Sequence, residues 1–313
     1  MLGLRANRRG SKDVTAAGVT QDRHAGNGRR GSRARQALPV LVTALILLLG
    51  PAREAASAPE AGYRFGVFPY LPALTIDEVF GPLAARLARD LDRPVRLKTK
   101  STFERFAEEL ARQSYDMILV HPFFYVDAAD GHHYQALARV DDVLTAVVLV
   151  SEDRPWDDWQ DLAGRTLALP PALSAVSEMV GTALRERGLI PNVDLTLRHY
   201  PTKLACLHAA VFGTAAGCAV PGFVLSQLGE MAEMRLRVIA ETPPIKHFVL
   251  AVHERMPPAQ RARLLESLLG LPATDEGRAI LAATAWPRFV AAQDAEYDEV
   301  RRNRTRHRAL AQR

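Results

Sequence analysis

Two cysteines in 313 residues, Cys206 and Cys218, leave little thiol chemistry to consider. No cysteine follows the one long apolar run, which excludes a lipid anchor there, and neither cysteine nor carboxylate completes a metal spacing with the adjacent His132 and His133. Within an oxidising compartment the pair can close a disulfide contributing about 3 kcal/mol, the alternative being two buried thiols. A phosphate-binding glycine loop is missing, and no nucleophile and base stand at a recognisable spacing. Repeats of solenoid period are absent as well. These gaps weigh against an enzyme and imply no cofactor.

Long hydrophobic runs are equally scarce. Residues 37–49, "ALPVLVTALILLL", form thirteen residues without charge, too few to cross a hydrocarbon core of roughly 30 Å comfortably. A segment rich in Arg, Gly, Ser and Asn precedes them and reads as disordered, and "GPAREAASAPE" follows. Basic, then apolar, then small residues is the pattern of a secretory signal. Cleavage is expected near Ser57 or Ala58, with retention as an inner-membrane anchor as the alternative because Pro59 comes next. An exported chain follows from this reading.

Residues 1–58 hold ten of the 40 Lys and Arg but only three of the 35 Asp and Glu. The remainder therefore has 30 basic against 32 acidic residues, a net charge of −2. The sequence pI of about 9.4 belongs mostly to the leader and gives no reason to expect nucleic-acid binding.

From residue 62 strand and helix patterns alternate. Residues 63–71 read as a strand, 76–92 as an amphipathic helix, 94–100 as a strand, 102–113 as a helix and 115–120 as an apolar strand. A β-branched strand is expected over 144–152 and a short strand over 166–169, followed by a helix over 174–187. Strand, helix, strand and strand follow to residue 242, and the last sixty residues read as mainly helical. Apolar strands alternating with helices imply an α/β fold of mostly parallel sheets flanked by helices, with ligands bound beyond the carboxyl ends of the strands. Two units are expected, with residues 59–150 and 242–313 as the first lobe and 151–241 as the second.

Those strand ends carry the chemistry: Tyr70 after the first strand, and "HPFFYV", with His121, Phe123 and Tyr125, after the third. Tyrosines offer a hydroxyl on a flat apolar body, and a histidine can donate to an anion. In "PPALSAVS", Ser174 is placed to cap a helix whose start, with Ala175 and Ser177, leaves unpaired N–H groups and a partial positive charge. The same pattern serves equally as a plain helix cap. Lys203, in "HYPTKLAC", stands near another strand end.

The ordered phrases "FGVFPYLPA", "FGPLAARLARDLDRPV", "YDMILVHPFFYVDA", "WQDLAGRTLALPPALSAVS", "HAAVFGTAAGCAVPG" and "EGRAIL" resemble the periplasmic phosphate, phosphite and phosphonate-binding components of ABC importers. The resemblance extends over nearly all of the chain after the leader. It implies a type II periplasmic-binding-protein fold, with two α/β lobes, a two-stranded hinge and a ligand cleft between the lobes. It also implies a monomer that captures a small anion and delivers it to a membrane permease, or presents it to a membrane sensor partner. It assigns "HPFFYV" to the first-lobe cleft wall and "PPALSAVS" to the anion clamp. That turn has fewer hydroxyls than phosphonate-binding relatives, which favours a smaller charge or an apolar-bodied ligand.

Overall fold

A computed structural model describes residues 62–225 and 234–311. The leader and signal read over residues 1–58 lie outside the described residues.

The first half of the first lobe follows directly from periodicity. Strands β1 (Tyr63–Val67), β2 (Val95–Lys98) and β3 (Met117–Val120) pair in parallel with β1 in the middle. Helix α1 (Ala73–Asp90) buries Ile76, Phe80, Leu83 and Leu87 at three- and four-residue spacing. Helix α2 (Phe103–Ala111) starts where the Thr102 side chain accepts the Arg105 N–H, and it buries Phe103, Phe106 and Leu110.

After β3 the chain enters a helix, α3 (Pro122–His132). His121 caps it by accepting the Phe124 N–H, and Pro122 fits the first helical position because it lacks an N–H that would be unpaired there. Pro122, Phe123, Phe124, Tyr125, Val126 and Ala128 are all buried. The segment is thus a core helix and not the extended wall that its aromatics suggest.

Strand β4 (Tyr134–Val140) leads through β5 (Val143–Leu144) into β6 (Ala146–Ser151), which belongs to the second sheet. The expected lobe boundary after residue 150 therefore falls inside a strand whose partners all lie in the second lobe. That lobe contains β7 (Thr166–Leu169), α4 (Ala175–Glu186), β8 (Thr196–His199), α5 (Lys203–Val211), β9 (Gly217–Pro221) and β10 (Leu236–Glu241). Its sheet order is β10-β6-β9-β7-β8. The β7, β8 and β9 pairings are parallel, and those of β6 with β9 and β10 antiparallel. Cys206 on α5 and Cys218 on β9 are joined as a disulfide, with Cα atoms 5.5 Å apart.

The chain returns through β11 (Ile245–Lys246) to β12 (Val249–His253), which inserts antiparallel between β3 and β4. Helices α6 (Pro258–Leu269) and α7 (Asp275–Thr284), strand β13 (Phe289–Ala291) and helix α8 (Asp298–Ala311) complete the lobe. The first sheet is ordered β13-β4-β12-β3-β1-β2, so both sheets are mixed.

Each crossing between lobes is a single short strand, and the two pair antiparallel with Ile245 opposite Leu144 and Lys246 opposite Val143. Thr242 braces them: its N–H donates to the Ala146 carbonyl at 2.9 Å, and its hydroxyl accepts the Ala146 N–H at 3.0 Å. Gly222 donates to the Thr145 carbonyl nearby, and a Cβ at Gly222 would lie 2.0 Å from the Thr145 hydroxyl, which would have to move aside for any side chain there.

Candidate functional site

The carboxyl ends of β1 and β3 place an aromatic floor in the first lobe. Phe68 stacks on Tyr70 at 4.8 Å between centroids, and its edge contacts reach Phe248 at 4.8 Å and His121 at 5.2 Å. Tyr70 is half-buried, and burial pushes its hydroxyl pKa well above the ordinary value.

In the second lobe, β7 runs into the 170–174 turn and then into α4. Ser174 accepts the Ser177 N–H at 3.2 Å, which makes it the helix cap. The Ser174 hydroxyl donates to the Ser177 oxygen at 3.2 Å, and the Ser177 hydroxyl donates to the Pro170 carbonyl at 3.0 Å. Both serine protons are therefore committed inside the turn. The N–H groups of Ala175 and Val176 have no acceptor among the described residues, as the start of a helix dictates. His199, at the end of β8, donates from Nδ1 to the same Pro170 carbonyl at 2.7 Å. Sequence reading passed over it because an isolated histidine at a strand end carries no spacing signal.

The two lobes touch where these features meet. His121 is only 1% exposed. Because its Nδ1 accepts the Phe124 N–H, the ring proton sits on Nε2, which donates to the Leu173 carbonyl at 3.0 Å. Burial lowers its pKa to about 3; the Leu173 bond opposes that shift, and Arg304 adds to it. His121 is thus neutral with both nitrogens engaged, and it ties the lobes together instead of offering a cationic donor. Arg304 on α8 makes a second tie, donating to the Phe123 carbonyl and Asp127 in the first lobe and to Glu178 of α4 at 3.4 Å.

The other predicted residues disperse. The Tyr125 hydroxyl donates to Asp294 Oδ1 at 2.6 Å and accepts the Ala136 N–H at 3.1 Å, inside the first lobe and away from the cleft wall expected for it. Phe123 is buried on α3, its ring 5.9 Å from that of His121. Lys203 is exposed at the start of α5. What meets across the lobes is His121 and Leu173, the residue before the α4 cap, while Tyr70 stacks on Phe68 within the first lobe.

A family model for the phosphonate periplasmic substrate-binding proteins of ABC transporters matches residues 65–297. The chain belongs to that family. Its members are periplasmic binding components of a transport system, which accounts for two sheets joined by two short strands. Among curated proteins no relative matches. Solved structures share the fold at low identity. The binding protein component of an ABC phosphonate transporter from Pseudomonas aeruginosa is 14% identical with a TM-score of 0.67, over 77% of this chain and 85% of that one. PhnD1 from Prochlorococcus marinus, in complex with methylphosphonate, is 14% identical with a TM-score of 0.70, over 79% and 98%. A Xanthomonas citri protein bound to ATP is 15% identical with a TM-score of 0.70, also over 79% and 98%.

Proposed function

We propose that this family member captures a small phosphorus oxyanion with an apolar substituent, of the alkylphosphonate type, and delivers it to an ABC permease. The observation that carries the reading is the pair of unpartnered N–H groups, Ala175 and Val176, at the start of α4, beside the place where His121 meets the second lobe. A helix start concentrates about half a positive charge and suits an anion. Relatives of the same fold hold methylphosphonate and ATP, both phosphorus oxyanions, which supports the class.

The chemistry of the turn sharpens it. Each unpaired oxygen of a buried dianion costs several kcal/mol, and here the serine protons are already committed while His121 is neutral. A singly charged headgroup with an alkyl body on Tyr70 matches the available donors and surface better than inorganic phosphate. Tyr70 and the α4 start act as ligand contacts, and His121 acts as the closing contact.

Closure follows from differential affinity: a ligand touching both lobes stabilises the closed arrangement in which the permease recognises it. Residues 37–49 serve as the export signal of a monomeric periplasmic protein. Retention of that segment as an anchor favours presentation to a membrane sensor, and N-terminal sequencing of the exported protein decides between the two.

A thermal-shift comparison of ethylphosphonate, phosphate, phosphite, sulfate and propanoate tests the ligand class. A ligand at 100 times its Kd stabilises by about 2.7 kcal/mol. The reading expects the largest shift with ethylphosphonate. A shift confined to propanoate removes the phosphorus oxyanion.

A further inference from the structure

A pocket of about 320 Å³ lies at the seam of the two lobes, apart from the anion cleft. It runs along α4 from Met179 to Glu186, about one to three turns beyond the helix start that holds the anion donors. The opposite walls are the return strand β11 and the first turns of α8, so both lobes and a connecting strand contribute. Its floor is apolar, with Phe123, Met179, Ile245 and Val300 on the lining.

The charged groups around that floor are unbalanced. Glu186, Glu296 and Glu299 line it against a single Lys246. Glu296 is held by Arg139 at 2.8 Å. Glu186 and Glu299 are exposed, and neither forms an ion pair among the described residues. Tyr297, also on the lining, is fully buried and adds its ring to the apolar floor.

We propose that the seam pocket is a second ligand site, which takes a small organic amine with an apolar body. The ammonium group pairs with Glu186 and Glu299, and the body covers the apolar floor. Charge sets the selectivity: a carboxylate of the same shape meets two uncompensated acids. Because the lining comes from both lobes, an occupant holds them in the arrangement in which the pocket exists.

The test uses the full chain and two probes of similar size, 2-phenylethylammonium and 3-phenylpropanoate, titrated by calorimetry. The amine is expected to bind with a millimolar Kd and the carboxylate not to bind. In the Glu186→Gln/Glu299→Gln variant, whose changes are exposed and leave folding intact, affinity for the amine is expected to fall about fivefold or more. Val300→Trp, which fills the pocket, is expected to abolish binding, and Ala175→Pro, which alters only the anion cleft, to leave it unchanged. Equal binding of both probes, no binding of the amine at millimolar concentration, or full affinity in the double glutamine variant overturns the proposal. If Val300→Trp does not fold, the glutamine variant decides alone.

Discussion

The Nε2–H of His121 and the carbonyl of Leu173 meet across the lobes at 3.0 Å, joining the end of β3 to the residue before the α4 cap. Burial holds the His121 pKa at about 3 and that of His247 at about 4, against 6.5 for an exposed imidazole. For both, burial is the leading cause; around His247, Asp142 opposes it. Between those values the unfolded chain binds protons that the folded chain refuses. The stability from the neutral rings is therefore complete above pH 6.5 and is lost as pH falls toward the folded pKa values. Each histidine contributes a slope of about 1.4 kcal/mol per pH unit in that window. Urea unfolding at pH 4.5 to 6.5 is expected to show stability rising with pH, and His121→Gln to reduce the slope by close to one proton. An unchanged slope in that variant means that His121 titrates normally.

Tyr125 separates a packing role from a binding role. Tyr125→Phe leaves the Asp294 carboxylate and the Ala136 N–H without this hydroxyl. Stability is expected to fall by about 1–3 kcal/mol by denaturant titration, with ligand affinity unchanged. A loss of affinity at constant stability places the hydroxyl at the ligand after all.

Cys206 and Cys218 close a loop with a sequence separation of 12. Reduction, or Cys206→Ser with Cys218→Ser, is expected to lower the unfolding free energy by about 3 kcal/mol, since the reduced unfolded chain regains the entropy of that loop. Equal urea midpoints with and without reductant contradict this.

The parts legible in the sequence were those in which one residue's environment repeats. Helices α1 and α2 bury a regular apolar face, Thr102 and Ser174 are ordinary caps, and β1 and β3 are short apolar runs. Helix α3 was not legible because it is buried on nearly every side, so its pattern lacks the polar face that marks a helix, and its cap is a histidine. Strand β4 was missed because its burial does not alternate cleanly, and β13 because it spans three residues. The candidate site was half legible. The α4 turn follows from local capping chemistry, whereas the engagement of Tyr125 by Asp294 and of Glu178 by Arg304 joins residues 169 and 126 positions apart. The 150/151 boundary failed because a β-branched strand has the same pattern in either sheet.

The central claim is that backbone N–H groups at the start of α4 hold the anion, and Ala175→Pro tests it most directly. Proline is tolerated at the first helical position, and Ser174 already has the extended backbone that a following proline requires, so the change removes one donor while keeping the helix. Calorimetry of ethylphosphonate against both proteins is expected to show at least about a tenfold loss of affinity in the variant, the value of one charge-assisted hydrogen bond, with the melting temperature of the unliganded protein unchanged. Equal affinity in the two proteins would contradict the account and move the anion away from the α4 start.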